Sequence, residues 1–288
     1  RIIIGYDIYV LFKMYFCNMR KSIKIIKGSK DKKILMDITF PNESNNKLIV
    51  FSHGFKGFKD WGCFNLISNN FAKNGFTFLK FNFSYNGTTL NDPLNFNDLE
   101  AFGNNNFSIE LNDLALVLDW SVKNLSISDI TLLGHSRGGG ISMIKSLEDT
   151  RITRVISWAS PSDFLNRIPK ERIESWKQKG VSFVYNGRTK QNMPLYIQFY
   201  NDCEQNKERL NIQKSVTNLL IPQLIIHGDA DSSVDVKEAY DLHKWNPCSE
   251  LFIVKDADHV FGASHPYNFD TLPSNLQIVI NKTMKFTL

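Results

Sequence analysis

Cysteine is scarce. The four residues, Cys17, Cys63, Cys203 and Cys248, lie far apart and form no C-x-x-C pair. That spacing excludes a zinc site of clustered thiolates and a dense disulfide framework, and it reads as free thiols in a reducing, cytoplasmic compartment. Charge of one sign is also in short supply. There are 34 Lys and Arg against 29 Asp and Glu, a net +5, with no dense basic run, so no nucleic-acid partner is expected. A clean apolar run of about 20 residues is missing, which argues against stable membrane association. Ile2 to Cys17 comes nearest, but Asp7 and Lys13 interrupt it and no small-residue cleavage site follows. A G-x-G-x-x-G after a strand and a G-x-x-x-x-G-K are both absent, so no nucleotide or flavin cofactor and no metal are expected. Internal repeats and low-complexity tracts are lacking too.

What remains is globular. Of 288 residues, 42% are hydrophobic and 12% aromatic, including 22 Phe, which excludes a disordered chain. A chain of this length buries about three quarters of its unfolded surface without staples, as one large domain or two small ones. Asn is common at 29 residues and Lys outnumbers Arg, a bias that carries no information about fold. Residues 1–18 are expected to be an extension ahead of a natural start at Met19, followed by the polar MRKSIKI; an ordered segment and an export or membrane signal are the alternatives.

From Ser22 onward, short apolar runs alternate with longer amphipathic stretches. Ile23–Lys27 and Ile34–Phe40 read as an antiparallel edge pair, with Asn42–Asn46 as the polar turn between them. Lys47–Ser52, Phe76–Phe83, Asp129–Leu133, Arg154–Ala159, a strand within Leu219–His227, and Leu251–Val254 read as further strands. Helices are expected at Phe64–Asn74, Ser108–Lys123 (capped at Ser108), Arg137–Leu147, Val236–Trp245 and Leu276–Met284, and a loop from Gly87 to Asn106. Strands apolar throughout, separated by helices, predict an α/β fold: a mainly parallel central sheet of about eight strands flanked by helices. The rhythm breaks between about 163 and 218. That stretch is polar, with a charged helix near Lys170–Lys179 and strand-like runs at Val181–Tyr185 and Leu195–Tyr200. It reads as a small insertion over the sheet's carboxyl edge, bearing Trp176, Tyr185, Arg188, Met193, Tyr196, Phe199 and Tyr200.

Gly134-His135-Ser136-Arg137-Gly138 lies between a strand and a helix. A sharp strand-to-helix turn strains the backbone of its middle residue and exposes Ser136 beside a helix N-terminus; side chains two residues before and after would collide. An activated serine needs a base and a group that orients the base. Among six His, His135 points away, His53 and His227 end strands where they shape loops, and His243 is a helix residue. His259, just past the last strand, is the candidate base, with His265 in reserve. Asp231 is the candidate acid, with Asp229 in reserve. A calcium loop through Asp229, Asp231 and Asp235 is rejected, because Val234 and Tyr240 stand where the turn Gly and the Glu belong. In the loop Lys56-Gly57-Phe58-Lys59-Asp60-Trp61, the aromatics could wall a pocket and the lysines attract an acidic group; packed aromatics and solvated lysines are the plainer alternative.

From about Lys21 to the C-terminus, the blocks HGFKGFKDW, GHSRGG, HGDADSSV and ADHVFG, in that order, resemble α/β-hydrolase superfamily serine hydrolases of the esterase, dienelactone-hydrolase-like and serine-aminopeptidase-like groups. The order Ser136, Asp231, His259 is that superfamily's. The resemblance implies a hydrolase domain over 19–288 with a cap insertion at about 163–218. It also implies a triad of Ser136, Asp231 and His259, and oxyanion donors at the backbone N–H groups of Phe55 and Arg137, with side-chain identity free there. Lys56, Trp61, Trp176 and Tyr196 are expected substrate contacts. The implied activity is hydrolysis of small-molecule carboxylic esters, aryl or hydroxycinnamate esters among them, through an acyl-enzyme. A peptidase or amidase, a thioesterase or acyltransferase, and a non-catalytic binding protein are the other readings.

Overall fold

The computed structural model describes residues 19–127, 129–166 and 168–288. The readings of residues 1–18, Cys17 included, fall outside the described residues.

The chain opens with β1 (Lys21–Lys27) and β2 (Lys33–Thr39), paired antiparallel with Ile23 opposite Asp37. Their connection is Gly28–Lys32, closed by the Gly28 N–H donating to the Lys32 carbonyl at 2.6 Å. The polar turn Asn42–Asn46 therefore lies after β2 and not inside the pair; Asn46 carries its left-handed backbone at φ 61°, which Asn tolerates. Next come β3 (Lys47–Ser52), α1 (Phe64–Lys73) and β4 (Thr77–Phe81), then α2 (Leu99–Gly103) and α3 (Phe107–Asn124). They are followed by β5 (Asp129–His135), α4 (Arg137–Glu148) and β6 (Ile152–Trp158). Between β6 and the next strand of the same sheet stand α5 (Lys170–Lys179), β7 (Val181–Asn186), β8 (Gln191–Tyr196), α6 (Gln198–Gln205) and α7 (Ile212–Thr217). The chain ends with β9 (Gln223–Gly228), α8 (Lys237–Trp245), β10 (Glu250–Val254) and α9 (Ser274–Thr287).

Eight strands form one sheet in the order β1-β2-β4-β3-β5-β6-β9-β10, and β7-β8 form a separate antiparallel pair. Only the β1–β2 and β2–β4 pairings are antiparallel; β4, β3, β5, β6, β9 and β10 run parallel. Side chains alternate across the sheet, so each strand feeds two cores. On β3, Leu48 and Val50 pack with Leu111, Leu114 and Val117 of α3 and Ile141 and Ile144 of α4. Ile49 and Phe51 pack on the other face, with Phe64, Ile67 and Phe71 of α1 and Leu276, Val279 and Ile280 of α9. Covered faces explain why these strands read as unbroken apolar runs.

Three local expectations need correction. The loop expected from Gly87 to Asn106 contains α2, whose first turn is capped by Asp98 accepting from the Ala101 N–H at 2.9 Å; five residues are too few for periodicity to register. The cap of α3 is Asn106, whose side chain accepts from the Ile109 N–H at 2.8 Å, and not Ser108. Residues expected as the strand Leu195–Tyr200 split instead between the end of β8 and the start of α6, where Phe199 and Cys203, four residues apart, bury one helical face.

Candidate active site

Ser136 stands at the carboxyl end of β5, as the residue before α4, with φ 54° and ψ −125°. This strained region is sparsely populated by non-Gly residues. The flanking glycines are what permit it. A Cβ on Gly134 would sit 2.1 Å from the Gly138 carbonyl oxygen, and one on Gly138 would sit 2.2 Å from that of Ser52. The Ser136 N–H is held by the Trp158 carbonyl of β6 at 2.8 Å, which fixes the turn against the sheet.

His259 follows β10 and Asp231 follows β9. The Nδ1–H of His259 donates to Asp231 Oδ2 at 2.7 Å. A carboxylate only accepts, so Nδ1 carries the proton and Nε2 keeps a lone pair. The other oxygen of Asp231 accepts from the N–H groups of Ser233 at 2.8 Å and Val234 at 2.9 Å. Burial alone would raise the Asp231 pKa. Hydrogen bonds from His227, His259 and the Val234 N–H outweigh burial and hold the carboxyl well below the usual range. His227, expected only to shape a loop, is fully buried within β9 and touches the acid directly: its Nε2 lies 2.9 Å from the Val234 carbonyl and 3.2 Å from Asp231 Oδ2.

The reserve candidates sit elsewhere. Asp229 accepts from the Asp256 N–H at 2.6 Å and so ties the turn after β10. Asp235 accepts from the Lys237 N–H, so the three aspartates of the rejected calcium reading diverge. His265 accepts from the Gly62 N–H at 2.9 Å and stacks on Trp61. His135 is half-buried, and its Nε2–H donates to the His259 carbonyl at 2.9 Å; it supports the loop of the candidate base. Burial, reinforced by nearby His259, pushes its pKa down to about 3. His53 is buried too, pushed down to about 4 by burial, with its Nδ1 2.9 Å from the Gly54 carbonyl.

Two cavities meet at Ser136 and His259. The larger, of about 430 Å³, is walled mainly by Phe107, Phe164, Ile168, Trp176, Leu195 and Phe199. The smaller, of about 280 Å³, is lined by Trp61, Phe64, Arg188, Val260 and His265 among others. Phe55 and Lys56 line both. Of the expected substrate contacts, Lys56, Trp61 and Trp176 border the cavities. Tyr196 does not: its hydroxyl donates to Glu100 Oε2 at 2.5 Å and its ring packs where a Cβ on Gly103 would be, so it fastens β8 to α2. Lys59 also departs from the alternatives weighed for it. It is 4% exposed, neither solvated nor in a cavity. It pairs with Asp37 at 2.6 Å and Asp60 at 2.5 Å, while Lys80 pairs with the same two carboxylates.

Arg137 is the first residue of α4, where N–H groups have no partner within the helix. Its side chain is less free than the motif suggests. The guanidinium lies 3.3 Å from Glu110 Oε1 and over the rings of Phe55, Phe107 and Phe199, at 4.1, 5.0 and 5.5 Å. Glu110 is buried and its pKa raised, burial outweighing the pull of Arg137, so loss of the guanidinium would strand a buried acid. The aromatics Phe107 and Phe164 and the cation Arg172 were missed as cavity residues. They stand in three separate segments that only the packed structure brings together.

Among the described residues, no helix is long and apolar enough to cross a membrane, and no group of three or more His, Cys, Asp or Glu is placed to hold a metal ion. Cys63 and Cys203 are buried free thiols, and Cys248 an exposed one.

No protein-family model matches the chain, and no curated protein matches it by sequence. Solved structures do. The chain is similar to Est1E from Butyrivibrio proteoclasticus, at 17% identity and a TM-score of 0.68 over 92% of this chain and 96% of that one. It is similar to the α/β hydrolase GrgF from Penicillium sp. sh18, at 17% and 0.68 over 93% and 98%. It is also similar to α/β hydrolase domain-containing protein 10 from mouse, at 16% and 0.69 over 92% and 97%. The strand order, the turn at Ser136 and these likenesses agree: the chain has the α/β-hydrolase fold.

Proposed function

We propose that the chain is a serine hydrolase that cleaves small-molecule carboxylic esters through an acyl-enzyme. The observation that carries this reading is the 2.7 Å pair of Asp231 and His259 at cavities that Ser136 also lines, with Ser136 in a strained turn before a helix. Ser136 Oγ attacks the acyl carbonyl while His259 Nε2 takes its proton. Asp231 holds the imidazole in that tautomer and stabilises its charged form. The Phe55 and Arg137 N–H groups stabilise the oxyanion, aided by the positive end of α4. His259 then protonates the leaving alkoxide, and water repeats the sequence on the acyl-enzyme. The segment 163–218 acts as a cap, since Trp176, Leu195 and Phe199 supply cavity wall. An aromatic ester suits those aromatic walls, and Est1E, one of the similar structures, has also been solved with ferulic acid bound.

The test is a panel of p-nitrophenyl esters of increasing acyl length, run beside hydroxycinnamate esters and aminoacyl anilides. Ester turnover above anilide turnover is expected, and Ser136→Ala should reduce it by several orders of magnitude with an unchanged circular dichroism spectrum. Anilide cleavage well above ester cleavage would make the protein a peptidase or amidase instead. Near-normal turnover by Ser136→Ala would remove the mechanism altogether.

A further inference from the structure

The charge lining the two cavities is one-sided. Lys56, Arg137 and Arg172 border the larger cavity, and Lys56 and Arg188 the smaller. No Asp or Glu among the described residues lines either one. The chain as a whole has 29 Asp and Glu against 34 Lys and Arg, so the one-sided lining does not follow from its overall charge.

These cations are not equivalent. Arg137 is neutralised by Glu110. Arg172 is engaged with the β7 hairpin, its Nε–H donating to Ser182 Oγ at 2.9 Å and a second N–H to the Phe183 carbonyl at 3.3 Å. Lys56 makes one long hydrogen bond, 3.4 Å, to the Tyr185 carbonyl, lies 5.8 Å from the Phe55 ring centroid, and has no carboxylate within ion-pair distance among the described residues. Its backbone is left-handed, at φ 56°, a conformation a Lys adopts at a cost. Arg188, in the turn between β7 and β8, has neither an ion pair nor a side-chain hydrogen bond among the described residues. Its guanidinium lies over the faces of Phe58 and Phe96, at 5.5 and 5.6 Å. That contact orients the planar fork and leaves its five N–H donors unused. A guanidinium so placed suits a two-oxygen anion, and an ammonium nearby adds field without demanding geometry.

The rest of the lining sorts the substrate's parts. The larger cavity is mostly aromatic and aliphatic, and the smaller is bordered by both cations without a carboxylate partner among the described residues. Resting on the hydrolase reading above, we propose that the preferred substrate is an anionic ester. Its carboxylate or phosphate is bound by Arg188 and Lys56 in the smaller cavity, and its apolar part fills the larger one across Ser136. The charge resides in the acyl or the alcohol half; the shared chemistry is an oxyanion a short span from the scissile carbonyl.

Three aryl esters test this. Phenyl butyrate is neutral, meta-carboxyphenyl butyrate carries its charge on the alcohol side, and phenyl hydrogen adipate on the acyl side. At low salt, kcat/KM for at least one charged ester should exceed that for the neutral one by about tenfold or more, the worth of one charge-assisted contact. The preference should shrink at high salt. Arg188→Gln should lower the charged-to-neutral ratio about tenfold, and Arg188→Glu should lower it further by repulsion. The ratio, unlike absolute activity, is insensitive to a small loss of folded enzyme. Equal turnover of all three esters, or a ratio unmoved in Arg188→Glu, overturns the anionic preference and leaves the hydrolase standing. Refusal of all three by the wild type, with refusal of the p-nitrophenyl panel, overturns both.

Discussion

Single residues set the character of the candidate site through their protonation and hydrogen bonds. The tautomer of His259 follows from one contact, because a carboxylate at Nδ1 leaves Nε2 as the only base. His53 and His135 are held neutral when folded, down to about 4 and about 3, mainly by burial. An unfolded His takes up a proton near 6.5. The unfolded chain therefore binds more protons as pH falls below about 6.5, and the stability these groups contribute is lost from there towards pH 4. Glu110 and Asp113, whose pKa values are raised by burial, act in the opposite direction. The urea midpoint is expected to fall between pH 7 and pH 5. A midpoint that stays level or rises would show that these histidines do not dominate the acid response.

At the scale of elements, the turn at Ser136 depends on what flanks it. Three consecutive glycines open α4 because Gly138 passes against β3 and Gly139 and Gly140 against Ser160 and Phe164. Helix α3 depends on its cap. Asn106 accepts from the Ile109 N–H, and its amide donates to Gln198 Oε1 at 2.7 Å, joining α3 to α6. Asn106→Ala should cost about 1–2 kcal/mol, seen as a thermal midpoint lowered by roughly 3–6 °C. Asn106→Asp keeps the capping oxygen and should recover most of that loss. If Asp behaves like Ala, the bridge to α6 and not the cap is what stabilises α3. Elements also mark where local reading failed. The start of α6 looked like a strand, and α2 like a loop, because short segments take their conformation from what they pack against.

The whole molecule brings together what no segment holds. Lys59, Lys80, Asp37 and Asp60 come from a loop and two strands and form one buried cluster under the Phe55–Trp61 loop. Lys80 is 1% exposed, so removing it leaves carboxylates without their deepest partner. Lys80→Met should destabilise by about 3–5 kcal/mol, a midpoint lower by about 10 °C, and should weaken ester turnover by loosening that loop. A midpoint within a degree of wild type would show that Lys59 alone satisfies the cluster.

Much of this was legible in the residue order. The alternation of apolar runs with amphipathic stretches predicts the parallel sheet, because a strand covered on both faces has no polar side to show. The antiparallel edge pair follows from a connection too short for a crossover. The placing of Ser136, Asp231 and His259 at a strand-to-helix turn and at strand ends is readable because such places leave local signatures: glycines where a Cβ would strike backbone, and polar residues just past apolar runs. Only the tertiary structure decided the burial of Lys59, the outward attachment of Tyr196 to Glu100, the pairing of Arg137 with Glu110, the contact of His227 with Asp231 and the exposure of Arg188 to the smaller cavity. These depend on which side chains meet across more distant stretches of chain or around a turn. Periodicity reports only which face of its own element a residue occupies, and it carries no record of the partner on the other side.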